Sequence, residues 1–370
     1  MIQRNQLVSE FCELVRINSL SLREKALAEL LAAKLIDMGL SVEFDNADKA
    51  LGGQVGNLIA RLPATRFGPT LMLQSHMDTV EPGEGIEPVI NGNLVCSAGE
   101  TILGADAKAG ITVILNAVRE VIQRGIDHGE LQIVFCIAEE TGLQGAYHLD
   151  YSRISPDFAF VFDGGKPAGR MTTAAPSAYK MTFRMKGLAA HAGVHPERGV
   201  SAIQAAASGI SRMKLGRIDF ETTANIGVIE GGQARNIVPD SCTLLAEARS
   251  HDDAKLDAQL AHMVMCLEHA AKEAGATFLE PEVATSYRSF RLADDSPIVQ
   301  IGWRAAEAIG LEPGTEPGGG GSDANVFNEK GIPSVICATG AQGAHTTTET
   351  ADIDEMLNSA NWLVEIIRRA

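Results

Sequence analysis

Four strand-like apolar runs in this chain each lead into side chains of the kind that bind metal ions. The runs are LMLQSHMD, LQIVFCIAEE, FAFVFDGG and SVICATGAQGAH. The polar residues at their ends are His76, Asp78, Glu139, Glu140, Asp163 and His345. In an open α/β sheet, functional residues gather beyond the carboxyl ends of the strands. This pattern therefore predicts an α/β fold with a polar site at one edge of its sheet.

A further acid, Asp106, lies in ILGADAKAG, directly before a helix-like segment. It is either a helix N-cap or an acid that bridges two cations. Gly104 and Gly110 flank it, and Lys108 supplies a local positive charge. Two histidines and several carboxylates are suitable ligands for two divalent cations, with zinc favoured. The expected site is therefore a two-metal centre.

Each of these motifs also has a plain structural interpretation. The pair Glu139 and Glu140 could form a solvated turn, and an acid before two glycines is an ordinary turn. In the functional interpretation, His76 binds metal through one ring nitrogen and Asp78 accepts a hydrogen bond from the other. On an extended backbone the two glutamates point apart, so one can bind metal while the other acts as a general base.

Composition excludes some classes of partner. The formal net charge of −16 disfavours nucleic acid and anionic membranes, which bind basic surfaces. The first residues, MIQRNQLVSEFCELV, lack the continuous apolar core of a signal peptide, and no apolar run reaches membrane-spanning length. The six cysteines are scattered and form no CxxC motif. We therefore expect a cytoplasmic protein with reduced cysteines.

The first part of the chain alternates predicted helices and strands. Residues 5–38 predict two helices, with Asn5 and Ser21 as N-caps and Gly39 as the stop. Strands are predicted at Val42–Phe44, Asn57–Arg61 and Thr70–Ser75, and a helix at Asp106–Arg124. The run at Thr70–Ser75 is apolar throughout, which is typical of a strand buried on both faces.

The pattern changes near residue 170. MTTAAPSAYKMTFRMKG predicts one half-exposed strand, and further strands are predicted at TANIGVIEGG, SCTLLAEARS and TFLEPEVATSYRSF. Helices are predicted at about Val200–Met213 and at Asp252–Ala274. The order β-α-β-β-α-β indicates a small α+β domain over residues 170–289. Because His345 must meet residues of the first half, this domain is an insertion, and residues 1–169 and 290–370 form one discontinuous domain.

One histidine of the inserted segment is ambiguous. His191 lies in GLAAHAGVHPERG, a few residues before His195, which we interpret as a surface loop residue. His191 is either a loop residue as well or a hydrogen-bond donor that stabilises the oxyanion of a tetrahedral intermediate.

Taken in order, the motifs resemble those of a known family. They are HMDT, GADAKAG, AEETG, FDGG, KGLAAHAG, ARNIVPD, AEARS, GGSDAN and GAHTTTE. The chain resembles the two-zinc exopeptidases that include peptidase T, carboxypeptidase G and aminoacylase, and most resembles the peptidase T-like (tripeptide aminopeptidase-like) branch. The resemblance implies an α/β catalytic domain, with a mixed, largely parallel sheet flanked by helices, and an inserted ferredoxin-like lid domain. It also allows a homodimer formed through the lid.

The resemblance implies a role for each motif residue. One zinc ion would be held by His76, Asp106 and Asp163, and the other by Asp106, Glu140 and His345; Co²⁺ or Mn²⁺ could substitute. Asp78 would orient His76, Glu139 would be the general base, and His191 would contact the scissile carbonyl or oxyanion, in some members across a dimer interface. The substrate contacts would be Asn236, Arg249, and the pocket residues Gly319 to Asp323, which include Ser322.

Two positions bear on the activity. Ala107 stands where the family usually has Asp or Asn after a cis peptide bond, which removes a polar side chain but no metal ligand. Asp163 stands where deacylase and carboxypeptidase members carry Glu, and Asp accompanies the aminopeptidase type. We therefore predict a zinc aminopeptidase acting on short peptides. The alternatives are a hydrolase of N-acylated amino acids, a carboxypeptidase, and a catalytically silent metal protein that binds peptides or amino acids.

Overall fold

The chain divides into two compact units in the computed structural model, which describes residues 2–165 and 167–370. The first unit comprises Met1–Ala174, Arg291–Gly318 and Ser322–Ala370. The second comprises Ala175–Phe290 and Gly319–Gly321.

The described residues form ten α-helices. They are α1 Arg4–Val15, α2 Lys25–Asp37, α3 Ala47–Leu51, α4 Ala105–Gln123, α5 Gln144–Tyr147, α6 Ala202–Ile210, α7 Asp253–Ala274, α8 Pro297–Ala308, α9 Asp323–Glu329 and α10 Ile353–Arg369. Among the helices of residues 2–165 and 167–370, none has both the length and the apolar character needed to cross a bilayer.

The strands fall into three sheets. They are β1 Ser41–Phe44, β2 Leu58–Leu62, β3 Leu71–His76, β4 Pro88–Asn91, β5 Leu94–Ser97, β6 Leu131–Cys136, β7 Phe158–Gly164, β8 Arg170–Ala175, β9 Ser177–Lys186, β10 Gly216–Arg217, β11 Thr222–Gly231, β12 Ser241–Ser250, β13 Thr277–Phe278, β14 Glu282–Tyr287, β15 Phe290–Arg291, β16 Gly314–Pro317, β17 Ser334–Ala338, β18 Ala341–Gln342 and β19 Thr350–Asp352.

The largest sheet has nine strands in the order β1-β2-β6-β3-β7-β17-β8-β15, with β16 beside β8. Its central strands β6, β3, β7 and β17 run parallel. Strands β1 and β2 pair antiparallel with their neighbours, and β8 pairs antiparallel with β17 and parallel with β16. The sheet is therefore mixed with a parallel centre, and the predicted α/β fold is confirmed. A small four-stranded sheet, in the order β18-β19-β5-β4, accompanies it.

The parallel centre is buried because helices pack against it. All six residues of β3 are buried, as a strand without polar alternation requires. Helix α4 packs against β3 and β7, with Ile111, Ile114 and Leu115 in the core. Gly110 allows this close approach, since a Cβ there would lie 2.0 Å from the carbonyl oxygen of Phe162. The packing brings the start of α4 to the carboxyl ends of the strands.

The second unit has a six-stranded antiparallel sheet in the order β10-β11-β12-β9-β13, with β14 beside β9. Helices α6 and α7 pack on one face, over inward-facing residues such as Met181, Phe183 and Leu244. Asp252 caps α7 by accepting hydrogen bonds from two main-chain amides, and Gly275 ends it with a φ of +69°. The element order and the strand order match the predicted ferredoxin-like arrangement.

Two of the predicted strands are wrong in extent. The single strand predicted from MTTAAPSAYKMTFRMKG is two strands, since β8 belongs to the nine-stranded sheet and β9 to the second unit. Pro176 separates them; proline has no amide hydrogen for a sheet ladder. The strand predicted from TFLEPEVATSYRSF is likewise split into β13, β14 and β15.

The two N-terminal helices are present, but their predicted caps are wrong. Helix α1 starts at Arg4 after Gln3, and α2 starts at Lys25 after Glu24, with no side-chain cap on either. Ser21 lies before α2, and its hydroxyl donates instead to the Asp78 carboxylate at 2.6 Å. A long-range acceptor thus replaces the local amide that the sequence pattern favoured.

Candidate metal centre

The carboxyl ends of β3, β6, β7 and β17 meet at one edge of the nine-stranded sheet. His76 is the last residue of β3, and Asp163 lies near the end of β7. Glu140 follows β6, and His345 follows β17 by a short segment. The topology therefore brings four predicted ligands from distant parts of the chain to one place.

The first set of donor atoms surrounds His76, which is buried. Its Nε2 lies 3.2 Å from Asp106 Oδ1 and 3.4 Å from Asp163 Oδ1. Imidazole and carboxylate groups at this spacing can turn toward a shared cation.

The second set surrounds His345, which is about half exposed. Its Nε2 lies 2.9 Å from Glu140 Oε2 and 3.4 Å from Asp106 Oδ2. One ligand atom from each of His76, Asp106 and Glu140 falls within 4.8 Å of the others. The two oxygens of Asp106 thus face different histidines, as a bridging carboxylate would.

The charges of the site suit cations. Burial opposes protonation of His76, yet hydrogen bonds from its ring to the carboxylates of Asp106 and Asp163 raise its pKa well above the usual value. Hydrogen bonds to Asp106 and Glu140 raise the pKa of His345 to about 10. The same contacts hold the pKa of Asp106 well below its usual range despite burial. The carboxylates thus draw protons onto both histidines, and a divalent cation could replace those protons.

Asp106 owes its position to a non-helical start of α4. Its φ and ψ are −82° and 104°, and the Asp106–Ala107 peptide bond is cis, as the resemblance implied. The N-cap position is Gly104, which has no side chain to cap with, so the N-cap interpretation of Asp106 is wrong. Glu349, buried, accepts from the amides of Leu103, Gly104 and Asp106 at 2.7–2.9 Å. This carboxylate holds the loop that presents Asp106.

Glu139 and Glu140 lie on a tight turn rather than on an extended strand. Strand β6 ends at Cys136, and Ala138 has a φ of +50°. Glu139 is 9% exposed and the Glu140 side chain 7%. The solvated-turn interpretation is therefore wrong, and so is the extended backbone. The two side chains nevertheless differ in surroundings, because Glu140 contacts His345 whereas Glu139 has no partner of this kind among the described contacts.

Burial raises the pKa of Glu139 well above its usual value, with further repulsion from the carboxylates of Asp163, Asp323 and Glu140. Burial also raises the pKa of Asp163 to about 6, where repulsion by Asp106 adds to the effect. A carboxyl group whose pKa is raised in this way is suited to taking up and returning a proton near neutral pH.

Asp78 contacts both His76 and the turn that carries Glu139 and Glu140. Nδ1 of His76 lies 3.0 Å from the main-chain carbonyl oxygen of Asp78 and 3.4 Å from its carboxylate. The carboxylate accepts hydrogen bonds from the amides of Glu139 and Glu140 at 2.9 and 3.1 Å. The nearest acceptor for Nδ1 of His76 is therefore the main-chain carbonyl oxygen of Asp78. The carboxylate of Asp78 accepts hydrogen bonds from the turn that carries Glu139 and Glu140.

The sequence interpretation missed two buried acids near the site. Glu349 is the last residue of the motif GAHTTTE, and its position four residues after His345 is the sequence signal that could identify it. Glu24 accepts the amide of Ala138 at 3.0 Å, and nothing in its local sequence distinguishes it from a helix-surface glutamate. Asp323, which the resemblance places in the substrate pocket, is buried, and its Oδ2 accepts from Gln74 Nε2 at 2.6 Å.

The other predicted substrate-binding residues divide between the units. Ser322 belongs to the first unit and is the N-cap residue of α9, where its amide donates to Asn325 Oδ1 at 3.0 Å. His191, Asn236, Arg249 and Gly319 belong to the second unit.

Within the second unit, two predicted substrate contacts lie on neighbouring segments. The amide of Ala192 donates to the carbonyl oxygen of Asn236 at 2.9 Å, so the exposed residues His191 and Asn236 lie side by side. Arg249 lies on β12, where its guanidinium pairs with Glu247 at 3.1 Å. Gly321 must be a glycine, because a Cβ there would lie 2.3 Å from the Tyr287 ring.

A cavity of about 400 Å³ opens beside the donor atoms. Asp106 and Asp163 form one wall, and Gly165 and the segment 341–344 form the rest. The volume lies within the usual range for small-molecule sites.

Comparison with known proteins agrees with this geometry. Residues 72–369 match the peptidase family M20/M25/M40. The chain is 40% identical to the uncharacterized protein YqjE of Bacillus subtilis (strain 168) over 100% of both chains. It is 43% identical to the aminopeptidase PepT of Bacillus cereus ATCC 10987, with a TM-score of 0.91 over 100% of this chain and 99% of that one. For a tripeptidase of Staphylococcus aureus subsp. aureus mu50 the identity is 39% and the TM-score 0.95, over 100% and 98%.

Proposed function

The chain belongs to peptidase family M20/M25/M40, and we propose that it is a two-metal aminopeptidase that removes the N-terminal residue of short peptides, tripeptides in particular. This family assignment confirms the resemblance to peptidase T-like enzymes inferred from the motifs. The observation that carries the proposal is the Asp106 carboxylate, whose two oxygens face His76 and His345. Full-length similarity to an aminopeptidase and a tripeptidase, at 43% and 39% identity, supports the substrate class.

The donor atoms fit two divalent cations. We assign His76, Asp106 and Asp163 to one ion and Asp106, Glu140 and His345 to the other. Buried carboxylates this close together are costly unless positive charge compensates them. Nitrogen and oxygen donors of this kind suit Zn²⁺, with Co²⁺ or Mn²⁺ as substitutes. When bound, such ions stabilise negative charge on the scissile carbonyl oxygen and lower the pKa of water.

We assign the proton transfers to Glu139. Its carboxylate takes a proton from the attacking water as the water oxygen bonds to the carbonyl carbon. It then returns that proton to the departing amine as the C–N bond breaks. Burial and the raised pKa favour a carboxyl group that can hold the proton between these two steps. Asp78 keeps Glu139 in place through the turn amides and orients His76 through its carbonyl.

Asp163 supports an aminopeptidase over the alternatives. In the family pattern that the motifs follow, aspartate at this position accompanies aminopeptidase members, and glutamate accompanies carboxypeptidases and deacylases. The shorter side chain here lies 3.4 Å from His76 Nε2 and therefore still reaches the donor set.

We assign substrate recognition to the second unit, which supplies none of the proposed ligands. Arg249 and Asn236 are suited to hydrogen bonding with a peptide's carboxylate and backbone, and His191 is suited to donating to the oxyanion. Gly319 and Ser322 would line the substrate pocket. The same unit is the proposed site of homodimer formation, and the proposed location of the enzyme is the cytoplasm.

A hydrolysis panel tests the proposal. Zinc-loaded protein is incubated with a tripeptide, the same tripeptide N-acetylated, a dipeptide and an N-acetyl amino acid, and the products are identified by mass spectrometry. We expect release of the N-terminal residue from the free tripeptide and little cleavage after N-acetylation. Glu139→Gln, loaded in the same way, is the control for contaminating peptidases.

The panel also separates the alternatives. Cleavage of the N-acetyl amino acid in preference to the tripeptide would make the chain a deacylase. Release of the C-terminal residue from both tripeptides would make it a carboxypeptidase. Binding of two metal ions without hydrolysis of any substrate would indicate a catalytically silent binder.

A further inference from the structure

We propose that Glu24 is a positioning residue for Glu139. Its buried carboxylate, supplied by the connection between α1 and α2, holds the turn that carries Glu139 and Glu140 and thereby sets the direction of the general base. The inference deepens the proposed function, because it takes the role of Glu139 from it.

The turn after β6 is held by side chains rather than by a strand partner. Four successive main-chain amides donate to buried side-chain oxygens at 2.9–3.1 Å. The pairs are Ile137 with Asn57 Oδ1, Ala138 with Glu24 Oε1, Glu139 with Asp78 Oδ1 and Glu140 with Asp78 Oδ2. Sheet pairing stops at Cys136, so these bonds replace the ladder at the point where the functional side chains begin.

Glu24 binds the main chain immediately before the proposed general base, Glu139. Its Oε1 accepts from Ala138, the residue immediately before Glu139, at 3.0 Å. Ala138 has a φ of +50°, a conformation that costs energy for any residue with a Cβ and that persists only where the surroundings impose it. The hydrogen bond to the buried Oε1 of Glu24 is a contact that imposes this conformation on Ala138.

Glu24 itself is rigidly held. It is fully buried, and the same Oε1 also accepts from the amide of Leu22 at 2.8 Å. Leu22 in turn accepts from the amide of Gln54 at 3.2 Å. The carboxylate therefore has little freedom to follow a turn that moves.

The same connection also holds Asp78. Ser21 Oγ donates to Asp78 Oδ2 at 2.6 Å, and the carbonyl oxygen of Ser19 accepts from the amide of Thr79 at 2.9 Å. One segment, residues 19–24, thus supplies Glu24 and holds Asp78, two of the three residues that accept hydrogen bonds from the turn. A shift of this segment would move Ala138, Glu139 and Glu140 together.

The buried position of the Glu24 carboxyl group is unfavourable for the stability of the fold. Burial, together with the nearby Asp78 carboxylate, raises the pKa of Glu24 to about 7. A group that is disfavoured in its charged form and touches no proposed metal ligand suits a role in shaping the site more than one in stabilising the fold.

The test compares Glu24→Leu, which removes the acceptor, with Glu24→Gln, which keeps an oxygen in the same place. Glu10→Leu is the matched control, since Glu10 is also buried in the first unit but contacts Asn116, Arg119 and Lys34 instead of the turn. Metal content, kcat and KM are measured on the folded fraction, using whichever amide substrate the wild type cleaves fastest. Hydrogen exchange is followed in a peptide covering residues 137–140.

For Glu24→Leu we expect kcat to fall by about ten- to a hundredfold, the scale of a misplaced catalytic group, with metal content and KM close to wild type. We expect Glu24→Gln to recover most of this loss. Exchange in residues 137–140 should rise in Glu24→Leu and stay at the wild-type level in Glu10→Leu. In a Glu139→Gln background, Glu24→Leu should add little further loss, because both changes act through one group.

Several results would overturn the proposal. One is unchanged exchange in residues 137–140 of Glu24→Leu, and another is a loss of rate that adds in full to that of Glu139→Gln. The exchange measurement needs no substrate, so it decides the positioning role even if the hydrolysis panel refutes the peptidase assignment. A rate loss in Glu10→Leu equal to that in Glu24→Leu would indicate a general effect of lost stability.

Discussion

The carboxylate of Glu349 accepts a hydrogen bond from the main-chain amide of Asp106 at 2.9 Å. The segment that carries His345 therefore also holds the loop of the proposed bridging ligand. Both ends of the His345–Asp106 contact depend on one stretch of chain, residues 345–349, and changes there should affect stability and metal binding together.

Glu349→Ala should lower both stability and metal affinity. The change leaves three buried amides without their acceptor, and each costs about 1–3 kcal/mol. We expect the free energy of unfolding of the metal-free protein to fall by at least about 3 kcal/mol, measured with urea. Glu349→Gln, which keeps an acceptor oxygen, should lose less. Equal losses in the two variants would contradict a role through the amides.

Glu139→Gln should keep nearly two metal ions per chain and lower kcat by at least about a hundredfold, the scale of a lost general base. The amide cannot take up the water proton, yet it preserves the size of the side chain. Mass spectrometry of metal content, alongside kinetics, checks this. Glu140→Gln is the comparison and should lose metal. Metal loss in Glu139→Gln, with activity following metal content, would mean that the two roles are exchanged.

Asp106→Ala should abolish binding of both metal ions, because its two oxygens face both histidines and closely spaced cations repel without a shared anion. His345→Ala should weaken one ion more than the other, since His345 belongs to one donor set. Titration with Zn²⁺ under a competing chelator measures both affinities. Two tightly bound metal ions in Asp106→Ala would contradict the assignment of Asp106 as the bridging ligand.

The metal-free protein should lose stability as the pH rises above neutrality. Contacts with Asp106 and Glu140 raise the pKa of His345 from 6.5 to about 10 in the folded state. A group whose folded pKa is raised contributes its full stability below the unfolded value, and the contribution disappears as the pH passes through the folded value. Thermal unfolding in chelator between pH 6.5 and 10 should therefore show a falling Tm.

His345→Asn is the control for this pH effect and should show a smaller decline over the same window. Metal affinity should change in the opposite direction, because the cations displace these protons and therefore bind more tightly at higher pH. Calorimetric titrations in two buffers of different ionisation enthalpy would reveal the released protons. An absence of proton release would contradict the charge assignment.

His191→Ala should lower kcat by about a hundredfold and change KM little, because a donor to the oxyanion acts mainly in the transition state. His195→Ala, in the same exposed loop, is the matched control and should stay near wild type. Near-normal kcat in His191→Ala on the best substrate would leave His191 as a plain loop residue.

The sequence predicted the elements that local periodicity defines. The buried strand β3, helices α4 and α7, and the order of the second unit's elements all follow from runs of apolar residues and from capping signals near them. Local patterns were misleading where a polar group forms its hydrogen bond with a residue far away in the sequence instead of with a near neighbour. Ser21 has the character of an N-cap but donates to Asp78, and the strand predicted to reach Glu140 ends at Cys136 because buried side chains accept the next amides.

The sequence by itself determined which residue types reach the carboxyl ends of the parallel strands, because strand length and apolar runs are local properties. It therefore pointed to His76, to the pair Glu139 and Glu140, to Asp163 and to His345, while Asp106 was indicated by its place before a helix-like segment. Only the tertiary structure decided which oxygen of Asp106 faces which histidine, and that Glu24 and Glu349 hold the loops around them. Hydrogen bonds between segments far apart in the chain depend on the completed packing, and no local pattern encodes them.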